Sequence, residues 1–311
     1  VNNTATDKLL KQVSRSFYLS LRLLPAPMRG PAALAYLLAR ASDTLADSAT
    51  APAAMRIDCL DRFSACLNQG DPPQWPDPII SGLDNPHEKL LLLSTTALIR
   101  NLRQSMAAEA RLIRNVVEII ISGQRLDIER FGQAGPDRPV SLPDAATLDD
   151  YTWRVAGCVG EFWTRLGHLT LGSSFSDHPI EPLIDHAVHY GRGLQLVNIL
   201  RDLPTDLSHG RSYLPVADPS DHARLLREHA RWLARARELV THGFTYAACL
   251  KTRRLRTASV LPAMIARDTL NLLEAAGPAV LCQRVKIPRS AVYRSLMRAI
   301  AGRPMVQASV F

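Results

Sequence analysis

Two pairs of aspartates, each at a four-residue offset, are the groups in this sequence best placed to do chemistry together. Asp43 and Asp47 stand in Arg40-Ala-Ser-Asp43-Thr-Leu-Ala-Asp47. Asp202 and Asp206 stand in Gln195-Leu-Val-Asn198-Ile-Leu-Arg201-Asp202-Leu-Pro-Thr-Asp206. On a helix, residues four apart share a face with Cβ atoms roughly 5–6 Å apart, where two carboxylates repel by a few tenths of a kcal/mol. A hard divalent cation such as Mg²⁺ reverses that sign, because it takes oxygen ligands and bridges carboxylates to phosphates. The first pair alone is equally consistent with a solvated helix surface. The second is harder to place in solvent: Gln195, Asn198 and Asp202 run as a polar stripe among Leu194, Leu196, Val197, Ile199 and Leu200. Polar groups on so apolar a segment need partners, and a metal with its ligand would supply them.

Two shorter pieces carry anion-binding groups. Gly210-Arg-Ser-Tyr-Leu-Pro215 follows the second pair directly and offers the Arg211 fork and the Tyr213 hydroxyl to phosphate oxygens. Ser14-Arg15-Ser16-Phe17 places two hydroxyls and a guanidinium on an otherwise apolar stretch. Each is an ordinary polar segment by itself.

The periodicity that must position these groups is helical nearly throughout. Leu9, Leu10 and Val13 begin one stripe, and Phe17, Leu21 and Leu24 continue it up to a break at Pro25-Ala-Pro27. Pro31 fits a first helical turn, from which a helix runs into Asp43. Further helices are expected over 53–67, 88–103, 107–131, 147–171, 180–203, 221–243 and 259–276. Pro204 predicts that the fifth of these ends at Leu203, leaving Asp206 in the following turn. Residues 70–78, 132–143 and 204–219 read as loops. No alternating run is long enough for a sheet. The expectation is an all-α, single-domain bundle over 1–311, with its chemistry in an apolar core between facing helices.

Composition narrows the partners. The 311 residues carry a net charge of +8, with Arg far in excess of Lys, which suits polyanions. No zinc-finger or RNA-binding signature accompanies it, so nucleic acid is set aside. Cys59, Cys66, Cys158, Cys249 and Cys282 show no paired spacing and read as reduced thiols of a cytoplasmic protein. His186/His189 and His222/His229 lack a third ligand in any recognisable pattern. No signal-like start or spanning segment is read, which predicts a soluble or loosely peripheral protein.

Taken in order, the pieces resemble the squalene/phytoene synthase family from Ser14 to Arg289. The resemblance rests on Ser14-Arg-Ser-Phe17; on Tyr36, Arg40, Asp43 and Asp47; on Tyr151 with Val155-Ala-Gly-Cys-Val-Gly160; and on Gln195 through Pro215. It implies an isoprenoid-synthase fold that condenses two prenyl diphosphates head to head. On that pattern Asp43, Asp47, Asp202 and Asp206 hold Mg²⁺, with Asn198 a further ligand. Ser14, Arg15, Ser16, Tyr36, Arg40, Gln195, Arg201, Arg211 and Tyr213 grip the diphosphates, with Arg284 a weaker candidate. Tyr151 guides proton transfer. Phe17, Leu21, Val155, Ala156, Val159 and Leu194 wall a dry cavity beside Gly157 and Gly160.

Asp43-Thr-Leu-Ala-Asp47, Leu261-Pro-Ala-Met-Ile-Ala-Arg-Asp-Thr-Leu270 and Val285-Lys-Ile-Pro-Arg289 look most like the squalene synthase branch, which implies farnesyl diphosphate as substrate and NADPH as reductant. Many relatives carry Glu just before the last Asp of either pair; Ala46 and Thr205 stand there here. The alternatives are phytoene or dehydrosqualene synthesis, an enzyme that stops at presqualene diphosphate or yields hydroxysqualene, and a non-catalytic lipid-binding or assembly factor. Contact with a membrane surface during product release is a further expectation; oligomeric state is open.

Overall fold

The computed structural model describes residues 4–14, 17–48, 50–69 and 73–302. Helices account for almost all of it. The first half holds α1 (Thr4–Val13), α2 (Phe17–Leu23), α3 (Ala26–Ala46), α4 (Ala53–Asn68), α5 (Asp77–Ser81), α6 (Pro86–Leu93), α7 (Thr95–Gln104) and α8 (Ala107–Phe131). The second holds α9 (Ala145–Thr152), α10 (Cys158–Leu171), α11 (Ile180–Ser208), α12 (His222–Ala248), α13 (Arg253–Ala276) and α14 (Arg289–Ala301).

Apolar faces at three- and four-residue spacing drive the assembly. In α8, Val117, Ile121 and Ile128 bury against α3, α4 and α10. In α11, Leu196, Leu200 and Leu203 bury against α12 and α13. Side-chain caps fix several helix starts: Asp144 accepts from Thr147 N at 2.8 Å, and Asp221 from Arg224 N at 2.9 Å.

Four local expectations are revised by the backbone. The helix expected over 88–103 is two, because Ser94 and Thr95 turn their hydroxyls onto the Leu90 and Leu92 carbonyls at 2.7 Å each; hydroxyls that compete for backbone acceptors weaken a helix at that point. Pro31 lies inside α3, which starts earlier, with Pro27 in its first turn. The helix expected over 147–171 begins at Ala145 and is interrupted by a π-helical turn, Trp153–Gly157. The fourth concerns Pro204: α11 runs through it to Ser208, so Asp206 is helical. Pro204 cannot donate to the Leu200 carbonyl, and the buried His229 ring of α12 lies against the Leu200 backbone there. Packing of the buried Leu200 and Leu203 against α12 and α13 carries the helix past the proline.

Strand pairing is confined, among the described residues, to a two-residue parallel ladder in which Val140 faces Arg211 and Ser141 faces Ser212. It ties the segment after α11 to the loop before α9.

Facing sides of α3, α8, α10, α11 and α13, together with the π turn, enclose a cavity of 430 Å³, within the roughly 300–1,000 Å³ of small-molecule sites. Small residues make the room: Ala32, Ala35 and Ala39 on α3, and Ala156 and Gly160 on the other side. Close helix approach shapes it too. A Cβ on Gly160 would lie 2.1 Å from the Ala187 carbonyl oxygen, so α10 meets α11 with no side chain between them.

Gly160→Ala should therefore push α10 off α11 and destabilise the fold by about 1–3 kcal/mol. Urea unfolding monitored by circular dichroism measures this, and an unchanged midpoint would contradict the packing described.

Candidate active site

Helix α3 carries Tyr36, Arg40 and Asp43 on one face and ends at Asp47, whose N–H donates to the Asp43 carbonyl at 2.8 Å. Helix α11 carries Leu194, Gln195, Asn198, Arg201, Asp202 and Asp206. Tyr36, Asp43 and Asn198 line the cavity together with Val155, Gly160 and Leu194, so polar groups from both helices converge on one end of an apolar space. Leu21, Ala156 and Val159 are on its wall as well.

Helix α8 adds two groups that motif reading missed. Gln124 is buried and donates its amide N–H to Asp43. Asp127, almost one turn on, accepts the Tyr213 hydroxyl at 2.7 Å. A signal was present in the sequence: Val117, Ile121, Gln124 and Ile128 follow one helical stripe, so Gln124 occupies a core position where an apolar residue is expected.

The electrostatics are those of a crowded acidic cleft. Burial, then the neighbouring Asp47, pushes Asp43 up to about 6, while Arg40 and Gln124 oppose the shift. The Asp43 side chain still keeps 45% of its exposure because it borders open space. Asp47 is raised by burial as well, and Arg40 and Arg211 offset part of that. Asp127 and Asp206 are each pushed up to about 6 by burial, with Arg211 pulling both down. Asp202 is the exception. Burial would raise it, but a two-pronged contact from Arg201 (2.9 and 2.6 Å) and a hydrogen bond from Arg284 hold it below the usual carboxylate range. Arg211 bridges the two halves. It bonds Asp206 at 3.1 Å and acts on Asp47 and Asp127, yet its Nε is buried without a partner.

Beside the acids stand two tyrosines. Tyr151 stacks on Tyr213 with ring centroids 5.0 Å apart at 25°. Burial raises both well above the ordinary tyrosine range, so both are neutral, and Tyr151, Tyr213 and Asp127 line up as a candidate relay beside the Asp47 carboxylate. Gly210 aims this segment. Its φ of +69° belongs to glycine, and a Cβ there would lie 2.0 Å from the Gly135 carbonyl oxygen.

The remaining residues singled out by sequence fall as follows. Arg40 bonds Glu88 at 2.6 Å and lies 3.7 Å from Asp43. Gln195 accepts from Asn198 at 3.4 Å. Arg284, expected only weakly, reaches Asp202. Ser14 does not face the cleft: it is buried and its hydroxyl donates to the Leu10 carbonyl. Gly157 is not on the cavity wall; it packs against Arg192, Trp153 and Val188. Arg15, Ser16 and the Phe17 side chain lie outside the described residues.

The donor set fits a hard divalent cation: carboxylates on α3, α8 and α11, the Asn198 amide, and a buried Gln124 carbonyl oxygen with no partner. The unpartnered Arg211 Nε and the Arg201 and Arg284 forks fit an anion beside it.

Together, fold and site define a helical protein built around an apolar chamber with an acidic, arginine-bordered mouth. The chain belongs to the squalene/phytoene synthase family, whose pattern matches residues 10–291. Among its relatives, the presqualene diphosphate synthase of Rhodopseudomonas palustris is 32% identical over 64% of this chain and 58% of its own length. The squalene synthase of Mycosarcoma maydis is 26% identical over 94% of this chain and 54% of its own. The chain thus spans a little over half the length of these relatives. A TcSQS structure with bound ligand superposes at a TM-score of 0.78 with 24% identity, covering 96% of this chain and 85% of that one, which shows the shared fold.

Asp127→Asn tests the relay and the crowding together. A carboxyl whose folded-state pKa is raised contributes stability below its unfolded value near 4 and loses it as pH rises through about 6. The neutral isostere should therefore be more stable than the parent at pH 7, by about 1–2 kcal/mol after solvent screening. That advantage should vanish as pH falls toward 4, and turnover should drop about 100-fold or more. Paired thermal melts across pH, free of metal, check the first part.

Proposed function

We propose that the protein joins two farnesyl diphosphates head to head into presqualene diphosphate and then, with hydride from NADPH, reduces that to squalene. The observation carrying this reading is the acidic, arginine-bordered mouth placed directly on an apolar cavity. A leaving diphosphate is a polyanion, and its departure needs positive charge fixed where the negative charge develops. Arg201, Arg211, Arg284 and Arg40 supply it, with Tyr36 at the cavity rim. Mg²⁺ held by Asp43, Asp47, Asp202, Asp206 and Asn198 would neutralise the acids and stabilise the leaving group as a Lewis acid.

The allylic cation left behind attacks the double bond of the second substrate, and loss of a proton closes the cyclopropane. Val155, Ala156, Val159 and Leu194 keep water from that cation. On this reading the proton goes to the Tyr151 oxygen as the Tyr151 hydroxyl proton passes by way of Tyr213 to the Asp127 carboxylate, which ends protonated. In the second half, hydride replaces the remaining diphosphate as the ring opens.

A second reading ends the reaction at presqualene diphosphate, and the Rhodopseudomonas palustris relative of that name favours it. Among the described residues no helix is long and apolar enough to cross a membrane. Peripheral contact for release of so apolar a product has a suitable face in α14, where Tyr293 and Met297 stand exposed beside Arg294 and Arg298.

The test is incubation with farnesyl diphosphate and Mg²⁺, with and without NADPH, followed by mass spectrometry of the extracted lipids. Squalene only with NADPH is the expected result, and Asp202→Asn should abolish it with the fold intact. Presqualene diphosphate or hydroxysqualene in both tubes supports the second reading. Dehydrosqualene assigns the carotenoid branch. No product from folded protein, with farnesyl or geranylgeranyl diphosphate, overturns the proposal in favour of a non-catalytic role.

A further inference from the structure

Helices α11 and α12 pack along much of their length. Toward the start of α11 they bring together histidines 56 residues apart in sequence: His186 Nδ1 lies 2.8 Å from His242 Nδ1, with the rings tilted at 49°. Asp185 joins them, and one ligand atom from each of the three lies within 4.8 Å of the others. His189, one turn along α11, stacks on the His242 ring at 4.8 Å between centroids. Its Nδ1 is engaged by the Asp185 carbonyl oxygen at 2.9 Å and lies 3.3 Å from the Asp185 carboxylate. Glu238, one turn before His242 on α12, adds negative charge beside both rings.

We propose that Asp185, His186 and His242 form a second metal site, for a borderline divalent ion of the Zn²⁺ class, which ties α11 to α12. Two imidazoles and one carboxylate suit Zn²⁺, Co²⁺, Ni²⁺ or Cu²⁺ and not Mg²⁺, which prefers all-oxygen surroundings. Zinc bound by two imidazoles at about 2.0–2.1 Å in tetrahedral geometry needs their nitrogens about 3.3 Å apart. The 2.8 Å spacing reaches that by a small opening of two partly exposed side chains. His189 and Glu238 flank the ligands, one holding Asp185 in place and the other lending charge. Seventeen residues of helix separate Asp185 from Asp202, roughly 25 Å at the α-helical rise, so this site and the acidic cleft are independent. No ligand pattern around His186 is visible along the chain because His242 lies on the next helix, 56 residues away.

Untagged protein stripped with chelator and titrated with Co²⁺ tests this by visible d–d absorption, a readout independent of turnover. With excess Mg²⁺ present to fill the acidic cleft, one Co²⁺ per chain, displaced by an equivalent of Zn²⁺, is expected. The band should persist in Asp202→Asn and weaken at least tenfold in apparent affinity in His186→Ala and His242→Gln. Asp185→Asn, at a well-exposed carboxylate, gives a variant least able to disturb folding, and it too should weaken binding. No band at millimolar Co²⁺, or equal bands in folded histidine variants and parent, overturns the site.

Discussion

The mutual repulsion of five carboxylates gathered at one end of an apolar chamber is the constraint on which the rest of the structure depends. Asp43, Asp47, Asp127 and Asp206 are all pushed above their ordinary range by burial, and several act on one another. A cluster of that kind persists in a fold only where cations offset it. Here the internal cations are arginines: Arg40 on α3, Arg201 within α11, Arg211 just past its end, and Arg284 beyond α13. They balance the acids only in part, as the raised carboxyls and the unpartnered Arg211 Nε show. On the proposed function, a metal–diphosphate complex would supply the divalent cations and the anion that complete this balance.

The backbone is arranged to serve that end. α11 has to carry Asp206 one turn past Asp202, and it does so through Pro204, with the His229 ring of α12 against the Leu200 backbone. Gly210 then turns the chain sharply enough for Arg211 and Tyr213 to fold back over the acids, pinned by the ladder to Val140 and Ser141. On the opposite wall the π turn at Trp153–Gly157 shifts the helix register, bringing Val155 and Ala156 to the chamber while Tyr151 stays beside Tyr213. Insertions of this kind are frequent at functional sites because they re-aim side chains without ending the helix.

Much of this was legible from residue order alone. The polar stripe Gln195, Asn198 and Asp202 stood out because its helical spacing runs through an unusually apolar segment, whereas Arg211 and the apolar wall residues were placed by the resemblance to the squalene/phytoene synthase family. The helix over 107–131 was bounded correctly by Phe131 and the Gly132 that follows it. What escaped had a common physical cause: dependence on a partner distant in the chain. Pro204 looked like a helix end because the packing that carries the helix through it comes from α12 and α13, far along the chain. Asp127 was not singled out at all, because its partner Tyr213 lies 86 residues away in the chain. Ser14 looked like a phosphate ligand, yet its hydroxyl is satisfied by its own helix at Leu10. Gly160 was read as space beside the chamber, but its backbone is also the contact that lets α10 reach α11.

The most direct test of the central claim is a crystal structure with Mn²⁺ and a non-hydrolysable thio-analogue of farnesyl diphosphate, with Mn²⁺ located by anomalous scattering. The account predicts Mn²⁺ peaks against Asp43/Asp47 and against Asp202/Asp206, the diphosphate on Arg201 and Arg211, and the prenyl tail in the chamber lined by Val155 and Leu194. Mn²⁺ absent from both aspartate pairs, or the tail bound outside that chamber, would contradict it.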